Sequence, residues 1–201
     1  MKVLIACEFS GIVREAFRKR GHDAWSCDLL DSEIPGNHIK GDILEILNDG
    51  WDLMIGFPPC TYLTHAANKA LRDNPERKEK QLEAAEFFMT LYNSSIDKVC
   101  LENPRGHLTR LFRREDQVIE PFEFGEFERK RTCLWLKNLP PLMKGPVNPE
   151  GMKPKGMMKR SDNHGRKPGG NVGKYYMHGK NSLDRSRTFT GIANAMAKQW
   201  G

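Results

Sequence analysis

The sequence predicts an α/β domain with a largely parallel sheet that is covered by helices on both faces. Short apolar runs suited to buried strands alternate with segments of helical period, and this alternation is typical of such sheets. The 201 residues suffice for one domain with a sizeable core, and 38% are hydrophobic and 29% charged. No apolar run approaches the ~20 residues of a membrane span, and the first residues lack a secretory signal pattern. We therefore expect a cytoplasmic protein.

The first half of the chain predicts three strands. Residues 2–7 form an apolar run, and Ser10 is a plausible N-cap for a helix that extends to about Arg20 and is ended by Gly21. A second strand is expected at 23–27, a short helix at about 43–47 and a further strand at 52–55.

The second half predicts one long helix and three more strands. Residues 57–74 are expected to form a loop, and Pro75 suits the start of a helix that extends to about Tyr92. Further strands are expected at 97–101, 117–122 and 132–136.

Three units follow from the composition: a core at 1–143, a basic loop at 144–182 and a C-terminal helix at 183–201. Of the 39 loop residues, twelve are Gly or Pro and nine are Lys or Arg, without a helical or strand period. We expect an extended loop there, ordered by a ligand. The last segment places six residues on one helical face, which should dock on the core: Phe189, Ile192, Ala193, Met196, Ala197 and Trp200.

The positive charge is concentrated in the C-terminal quarter. Residues 144–201 contain 12 Lys or Arg and 3 Asp or Glu, whereas the rest of the chain is slightly acidic. This distribution indicates contact with a polyanion such as DNA. A solvated basic tail is the alternative reading, and composition does not separate the two.

Cys60 is the cysteine whose surroundings predict chemistry. Residues 53–55 predict a buried strand, Gly56 ends it, and Pro58-Pro59 imposes a rigid turn. Cys60 then leaves the sheet edge at which α/β proteins bind ligands, where a thiol can be a nucleophile if its pKa is lowered. A small apolar residue closing a turn is the alternative. The other four cysteines lie in apolar runs, and no Cys-x-x-Cys pair indicates zinc.

Other strand ends also deliver small or ionisable residues toward one crevice. Each is ambiguous alone, because glycines and acids often cap helices or form turns. The ordered set consists of Phe9-Ser10-Gly11, Asp28, Gly41-Asp42-Ile43, Gly56-Phe57-Pro58-Pro59-Cys60, Leu101-Glu102-Asn103 and Phe124-Gly125 leading to Lys130.

This set resembles the DNA (cytosine-5) methyltransferase family, and in particular its short, phage-type members. The similarity covers about residues 1–138 and resumes at 189–200, and Pro-Pro-Cys followed some 40 residues later by Glu-Asn is its most specific part. The resemblance implies a Rossmann-like methyltransferase fold, S-adenosyl-L-methionine as cofactor, DNA as partner and methylation of cytosine C5.

The resemblance also implies a role for each matched residue. Cys60 would attack cytosine C6, Glu102 would bind the ring at N3 and the exocyclic amine, and Lys130 falls where the family has a substrate-clamping arginine. The implied cofactor-binding residues are Phe9, Ser10 and Gly11 along S-adenosylmethionine, Asp28 at its ribose, Asp42 and Ile43 at its adenine, and Phe57 and Pro59 beside the methyl donor.

The sequence departs from the family pattern in several respects. Val13 replaces a loop glycine, and Glu128, Lys130 and Thr132 replace Gln, Arg and Arg. In addition, residues 144–182 stand where a large target-recognition domain is usual. Two alternatives therefore remain: modification of a free cytosine nucleotide, and a catalytically inactive methyltransferase-like protein that binds DNA.

Overall fold

The computed structural model describes residues 1–126, 128, 130–145 and 186–201. Its seven strands form a single sheet. The strands are β1 (Lys2–Ala6), β2 (Asp23–Asp28), β3 (His38–Lys40), β4 (Leu53–Gly56), β5 (Lys98–Pro104), β6 (Gln117–Ile119) and β7 (Thr132–Lys137). Their order across the sheet is β3-β2-β1-β4-β5-β7-β6.

The sheet is mostly parallel, as the sequence predicts. Strands β1 to β5 pair in parallel, and β7 pairs antiparallel with both β5 and β6. The chain moves outward from β1 through β2 and β3, then returns to place β4 on the other side of β1. Open α/β sheets bind ligands where the strand order reverses in this way, outside the carboxyl ends of the strands. The carboxyl ends of β1 and β4 therefore define the crevice of interest.

Helices cover both faces of the sheet, which confirms the expected layering. The α-helices are α1 (Ile12–Arg18), α2 (Asn68–Asp73), α3 (Glu76–Tyr92), α4 (Leu108–Leu111) and α5 (Thr190–Trp200), and single 3₁₀ turns occur at Ile43–Glu45, His65–Ala67 and Pro121–Phe124. Helices α1 and α5 pack on one face of the sheet, and α3 packs on the other.

Helix α1 is capped by a residue other than the one the sequence suggests. Ser10 lies one residue before the N-cap, Gly11, and the helix ends at Arg18 instead of Arg20. The buried carboxylate of Glu8 accepts the Val13 amide at 2.8 Å and the Ser10 hydroxyl at 2.9 Å. A carboxylate near a helix N-terminus satisfies unpaired amides and interacts favourably with the helix dipole.

Three element boundaries differ from the prediction. The supposed loop at 57–74 contains α2, so it is partly helical. Strand β5 extends through Pro104 because β7 pairs along its whole length. The strand predicted at 117–122 ends at Ile119, because Pro121 cannot donate to a ladder and begins a 3₁₀ turn. The short β3 was not predicted as a strand, since three residues carry little periodicity.

The C-terminal helix docks on the core, as its apolar face predicts. Ile192, Ala193, Met196 and Ala197 are buried against α1 and the sheet. Trp200 is also buried, and its indole N–H donates to the Pro140 carbonyl at 3.0 Å.

We expect Trp200→Ala to lower the free energy of unfolding by ~3–5 kcal/mol, because it removes a large buried ring and leaves a carbonyl without its donor. Denaturant unfolding followed by circular dichroism measures the effect. Lys198→Ala, on the exposed side of the same helix, is the control and should change stability by less than ~0.5 kcal/mol. Equal losses for the two variants would mean that α5 does not stabilise the core.

Most of the predicted basic loop lies outside the described residues, which stop at 145 and resume at 186. Within the described ranges, no helix has the length and apolar character needed to cross a bilayer.

Candidate functional site

The turn that carries Cys60 is fastened to the end of β5. Asn103, fully buried in β5, donates its side-chain amide to the Pro58 carbonyl at 2.9 Å. A few residues further on, the His107 amide donates to the Leu63 carbonyl at 2.7 Å. At Gly106 any Cβ would overlap that same carbonyl oxygen, so only glycine permits the approach. The Pro-Pro-Cys turn and the Glu-Asn strand end are thus held as one unit.

Cys60 and Glu102 both lie at the carboxyl edge of the sheet and interact electrostatically. Cys60 is exposed in a turn after β4, and Glu102 lies half-buried in β5, the neighbouring strand. Loss of solvent around the thiol raises the pKa of Cys60, and the Glu102 carboxylate raises it further. The two groups are therefore close enough to interact, as the sequence predicts.

Lys130 adds a cation to this pair. It lies two residues before β7, whose antiparallel pairing places Thr132 opposite Pro104 at the carboxyl end of β5. Its ammonium lowers the pKa of the Cys60 thiol and also that of Glu102. The cation thus favours the charged forms of both groups.

On balance the environment of Glu102 raises its pKa. Burial raises the pKa of this carboxyl and outweighs the opposing effects of Lys130 and of a hydrogen bond with Thr132. A carboxyl with a raised pKa keeps a proton for donation, and a neighbouring thiol can add to an electron-poor carbon. The arrangement can therefore combine nucleophilic attack with acid assistance.

A second group of side chains near the end of β1 consists of two carboxylates. Asp28 ends β2, and Asp42 caps the 3₁₀ turn after β3. Burial and then Asp28 raise the pKa of Cys7 to about 12, and Asp42 contributes to the same shift. Each aspartate uses Oδ1 to accept an amide at 2.9 Å, from Leu30 and Leu44. Among the described residues, the second oxygen of each has no hydrogen-bond partner, so it can accept from a ligand hydroxyl or amine.

The β1–α1 turn supplies the neighbouring wall. Phe9 is almost fully buried, and the Ser10 hydroxyl is engaged with Glu8. Gly11 has φ = 75°, and a Cβ there would lie 2.8 Å from Arg14 Nη2. The glycine is thus required by the protein itself. The Ser10 side chain is directed inward to Glu8, so it is the backbone of Ser10 that remains to line the crevice.

The remaining predicted cofactor residues frame the crevice between these two sets. Ile43 is buried after β3, whereas Asp42 beside it is exposed. Phe57 packs half-buried against the core, and its amide donates to the Ala6 carbonyl at 2.9 Å. Pro59 is exposed beside Cys60. The crevice therefore has acidic groups over β1–β3 and the thiol and carboxyl over β4–β5.

Two residues that shape the site were not identified from the sequence. Glu8 follows a strand as a lone polar residue, and in the structure its carboxyl group caps α1. Arg14 is fully buried and donates to Ser26, Ser32 and the Ile34 carbonyl, which fixes the β2–β3 connection beside Asp28. The sequence does carry one signal for this role. Arg14 lies among apolar residues of the α1 segment, and a buried arginine at such a position must be paired with polar partners.

Of the five cysteines, Cys27, Cys100 and Cys133 are buried, which confirms their assignment to the core. Cys7 is half-buried, with φ = 56° at the end of β1. Cys60 alone among the five is exposed. Its thiol is therefore the one that a reagent or substrate reaches first.

A scan against protein-family models finds no match for this chain, and a search of curated proteins finds none either.

The electrostatics of the cluster are directly testable. We expect Lys130→Met to raise the pKa of Cys60, because it removes the cation that stabilises the thiolate. The rate of iodoacetamide alkylation at Cys60, followed against pH by mass spectrometry, should therefore reach its half-maximum at a higher pH than in the wild type. The control is Lys40→Met. Lys40 lies in β3 and pairs with Asp31, so its removal should leave the pH profile of Cys60 alkylation unchanged. An unchanged profile for Lys130→Met would show that the ammonium does not act on the thiol.

Proposed function

We propose that this protein methylates C5 of cytosine in DNA, with S-adenosyl-L-methionine as methyl donor and Cys60 as nucleophile. The observation that supports this most strongly is the convergence of Cys60, Glu102 and Lys130. They come from three separate segments, and each of the two charged groups shifts the pKa of the thiol. The resemblance in the Pro-Pro-Cys and Glu-Asn elements supplies the reaction class.

The chemistry requires a nucleophile and an acid on the same ring. C5 of cytosine becomes a carbon nucleophile only after a thiolate adds to C6, because the addition converts the ring to an enamine. A proton or hydrogen bond at N3 from Glu102 stabilises the charge that the addition pushes into the ring. C5 would then take the methyl group as its bond to the donor sulfur breaks. Loss of the C5 proton to water, expulsion of the thiolate and return of the N3 proton to Glu102 would restore the aromatic ring. The raised pKa of Glu102 suits it to the donor role.

The same pair of groups activates the thiol when the base is bound. While Glu102 is ionised, burial of the thiol and then the Glu102 charge raise the pKa of Cys60, so the thiol form is favoured. A base whose N3 shares a proton with Glu102 neutralises part of that charge. The pKa of Cys60 then falls, and Lys130 favours the thiolate. Nucleophile formation is thereby coupled to the presence of substrate.

The other half of the crevice fits the proposed cofactor. Asp28 and Asp42 offer carboxylate oxygens for ribose hydroxyls or the adenine amine, and Ile43 and Phe9 offer apolar surface. Acidic residues at such strand ends bind ribose in related α/β nucleotide sites. When bound there, S-adenosylmethionine would supply an electrophilic methyl group. The carboxylates would also attract its positive sulfonium.

The proposed reaction requires the target cytosine to leave the DNA helix. A cytosine stacked within a duplex cannot present C6 to a thiol on the protein unless it flips out, which costs a few kcal/mol. Basic contacts to the phosphate backbone must offset this cost. In the proposed complex, the lysines and arginines of residues 144–201 provide such contacts.

Trapping with 5-fluorocytosine tests the reaction class, substrate and nucleophile together. Fluorine at C5 cannot leave as a proton does, so the C6–sulfur bond persists once the methyl group has been transferred. We expect an oligonucleotide with this base, incubated with S-adenosylmethionine, to form a denaturation-resistant adduct that peptide mass spectrometry assigns to Cys60. No adduct on single- or double-stranded oligonucleotides across varied sequence contexts would count against the proposal. Methylation of free dCMP with none of DNA would favour the nucleotide alternative.

A further inference from the structure

A cavity of about 460 Å³ lies beside the proposed catalytic turn, between α2, α3 and α4. Its size falls within the range of small-molecule sites. Besides two leucines, its lining consists of Lys78, Arg110, Arg72, Asn68, Gln81 and His107. Three of these carry a positive charge, and no carboxylate belongs to the described residues that line it. The wall is therefore selective for an anion.

The cations that line the cavity are available to a ligand. Within the described part of the chain, Lys78 and Arg110 have no ion-pair partner, and both are exposed. Arg72 differs, since its Nε donates to Asp73 at 3.0 Å. An anion that enters between Lys78 and Arg110 gains two charge-assisted contacts without first breaking an existing pair.

Asn68 adds a neutral donor group. His107 Nε2 lies 2.6 Å from Asn68 Oδ1, so the imidazole must donate there and the amide oxygen is occupied. The two N–H groups of the Asn68 amide are then left to donate to another acceptor. Gln81 is held in turn by donation of its amide to the Tyr62 carbonyl at 2.9 Å, which fixes the position of α3 relative to the turn. Several donors with no opposing acid match the oxygens of a phosphate.

Backbone hydrogen bonds connect the cavity to the proposed active site. The Leu63 amide donates to the Cys60 carbonyl at 3.0 Å, and the Leu63 carbonyl accepts from His107, which lines the cavity. An anion bound there would therefore lie next to the base of the catalytic turn and link α2, α3 and α4 around it.

We propose that this cavity binds a phosphate group, and that during the proposed reaction the phosphate belongs to the strand that carries the target cytosine. The second half of this statement depends on the proposed function, whereas the first does not. A phosphate held at this point would position the flipped nucleotide relative to Cys60 and Glu102. The free 5′-phosphate of a nucleotide has the same chemistry, so the test must separate the two sources.

The first measurement uses a fluorescein-labelled single-stranded oligonucleotide without cytosine, and no S-adenosylmethionine. Its result is therefore independent of methyl transfer. We expect the full-length double variant Lys78→Ala/Arg110→Ala to bind ~10-fold more weakly by anisotropy, with a smaller slope of log affinity against log salt by about one to two. The matched control, Lys80→Ala/Arg114→Ala, removes the same charge from exposed neighbours on α3 and after α4 that do not line the cavity. It should stay within about twofold of wild type.

The second measurement separates the sources of phosphate. Thermal unfolding is followed with inorganic phosphate or dAMP against chloride at equal ionic strength, because a ligand of the folded state raises the melting temperature. Stabilisation that is lost in the cavity variant and kept in the control supports the site. Tighter binding of the oligonucleotide than of dAMP identifies a backbone phosphate, and the reverse identifies a nucleotide phosphate. Equal losses of affinity in both double variants, with no stabilisation by phosphate or dAMP, would overturn the proposal.

Discussion

Cys60→Ala is expected to abolish methyl transfer to cytosine. Without the sulfur, C6 has no nucleophile and C5 stays unreactive, so the rate should fall by at least ~10³-fold, as for other residues that form the covalent intermediate. The measurement is incorporation of labelled methyl groups into DNA, together with trapping by 5-fluorocytosine, which should give no adduct. DNA binding should persist, because the exposed thiol makes no packing contribution to the core.

A neighbouring substitution separates chemistry from loop geometry. Thr61→Ala alters the exposed residue next to Cys60 and leaves the thiol intact. It should retain activity within about tenfold and still form the adduct. If Cys60→Ala methylated DNA as fast as the wild type, Cys60 could not be the nucleophile. If Thr61→Ala lost activity as completely, the shape of the turn would explain the loss equally well.

The sheet could be predicted from the sequence because each strand carries its own signal. Residues 2–7, 52–55 and 97–101 are short apolar runs bounded by polar residues, and such runs identify buried strands without any tertiary information. Strand β3 and helix α4 carry no such signal. They span three and four residues, and they form because β2 and the Leu63 carbonyl offer hydrogen bonds to them.

The site could be predicted only in part, for a related reason. Cys60 and Glu102 follow strands, so a parallel sheet brings them to one edge, and the resemblance names both. The roles of Asn103 and Gly106 could not be derived from the sequence, because their partners Pro58 and Leu63 are more than 40 residues away. The resemblance places Ser10 along the cofactor, but the sequence carries no sign that the Ser10 hydroxyl donates to the buried Glu8.

Val13, which departs from the pattern that the sequence resembles, has a local structural role. Val13 stands where the pattern has a glycine, and its side chain is fully buried in the core beneath α1. Its amide donates to Glu8, so the first turn of the helix is fixed by a carboxylate. A glycine at this position would leave part of that core unfilled. The β1–α1 turn of this protein therefore depends on Glu8 and Arg14 for its shape.

Glu102→Gln is expected to slow methylation by ~10²–10⁴-fold, because the amide cannot transfer a proton to N3 of the ring. The substitution preserves shape, so DNA binding and the melting temperature should change little. A second consequence follows from the charges. The Glu102 carboxylate raises the pKa of Cys60, so its removal should lower that pKa. Iodoacetamide alkylation of Cys60 should then reach its half-maximum at a lower pH than in wild type, opposite to the shift expected for Lys130→Met.

This pair of effects distinguishes an acid from a merely structural residue. The proposed reaction needs Glu102 protonated and Cys60 ionised at the same time, so the wild-type rate should fall at both low and high pH, with the two limbs set by the coupled pair. Glu102→Gln has no proton to lose, so its residual rate should rise with pH through the Cys60 pKa and then level off. Glu86→Gln, on the exposed side of α3, is the control and should keep the wild-type profile. A Glu102→Gln variant that is slow but titrates as wild type would show that the carboxyl serves packing alone.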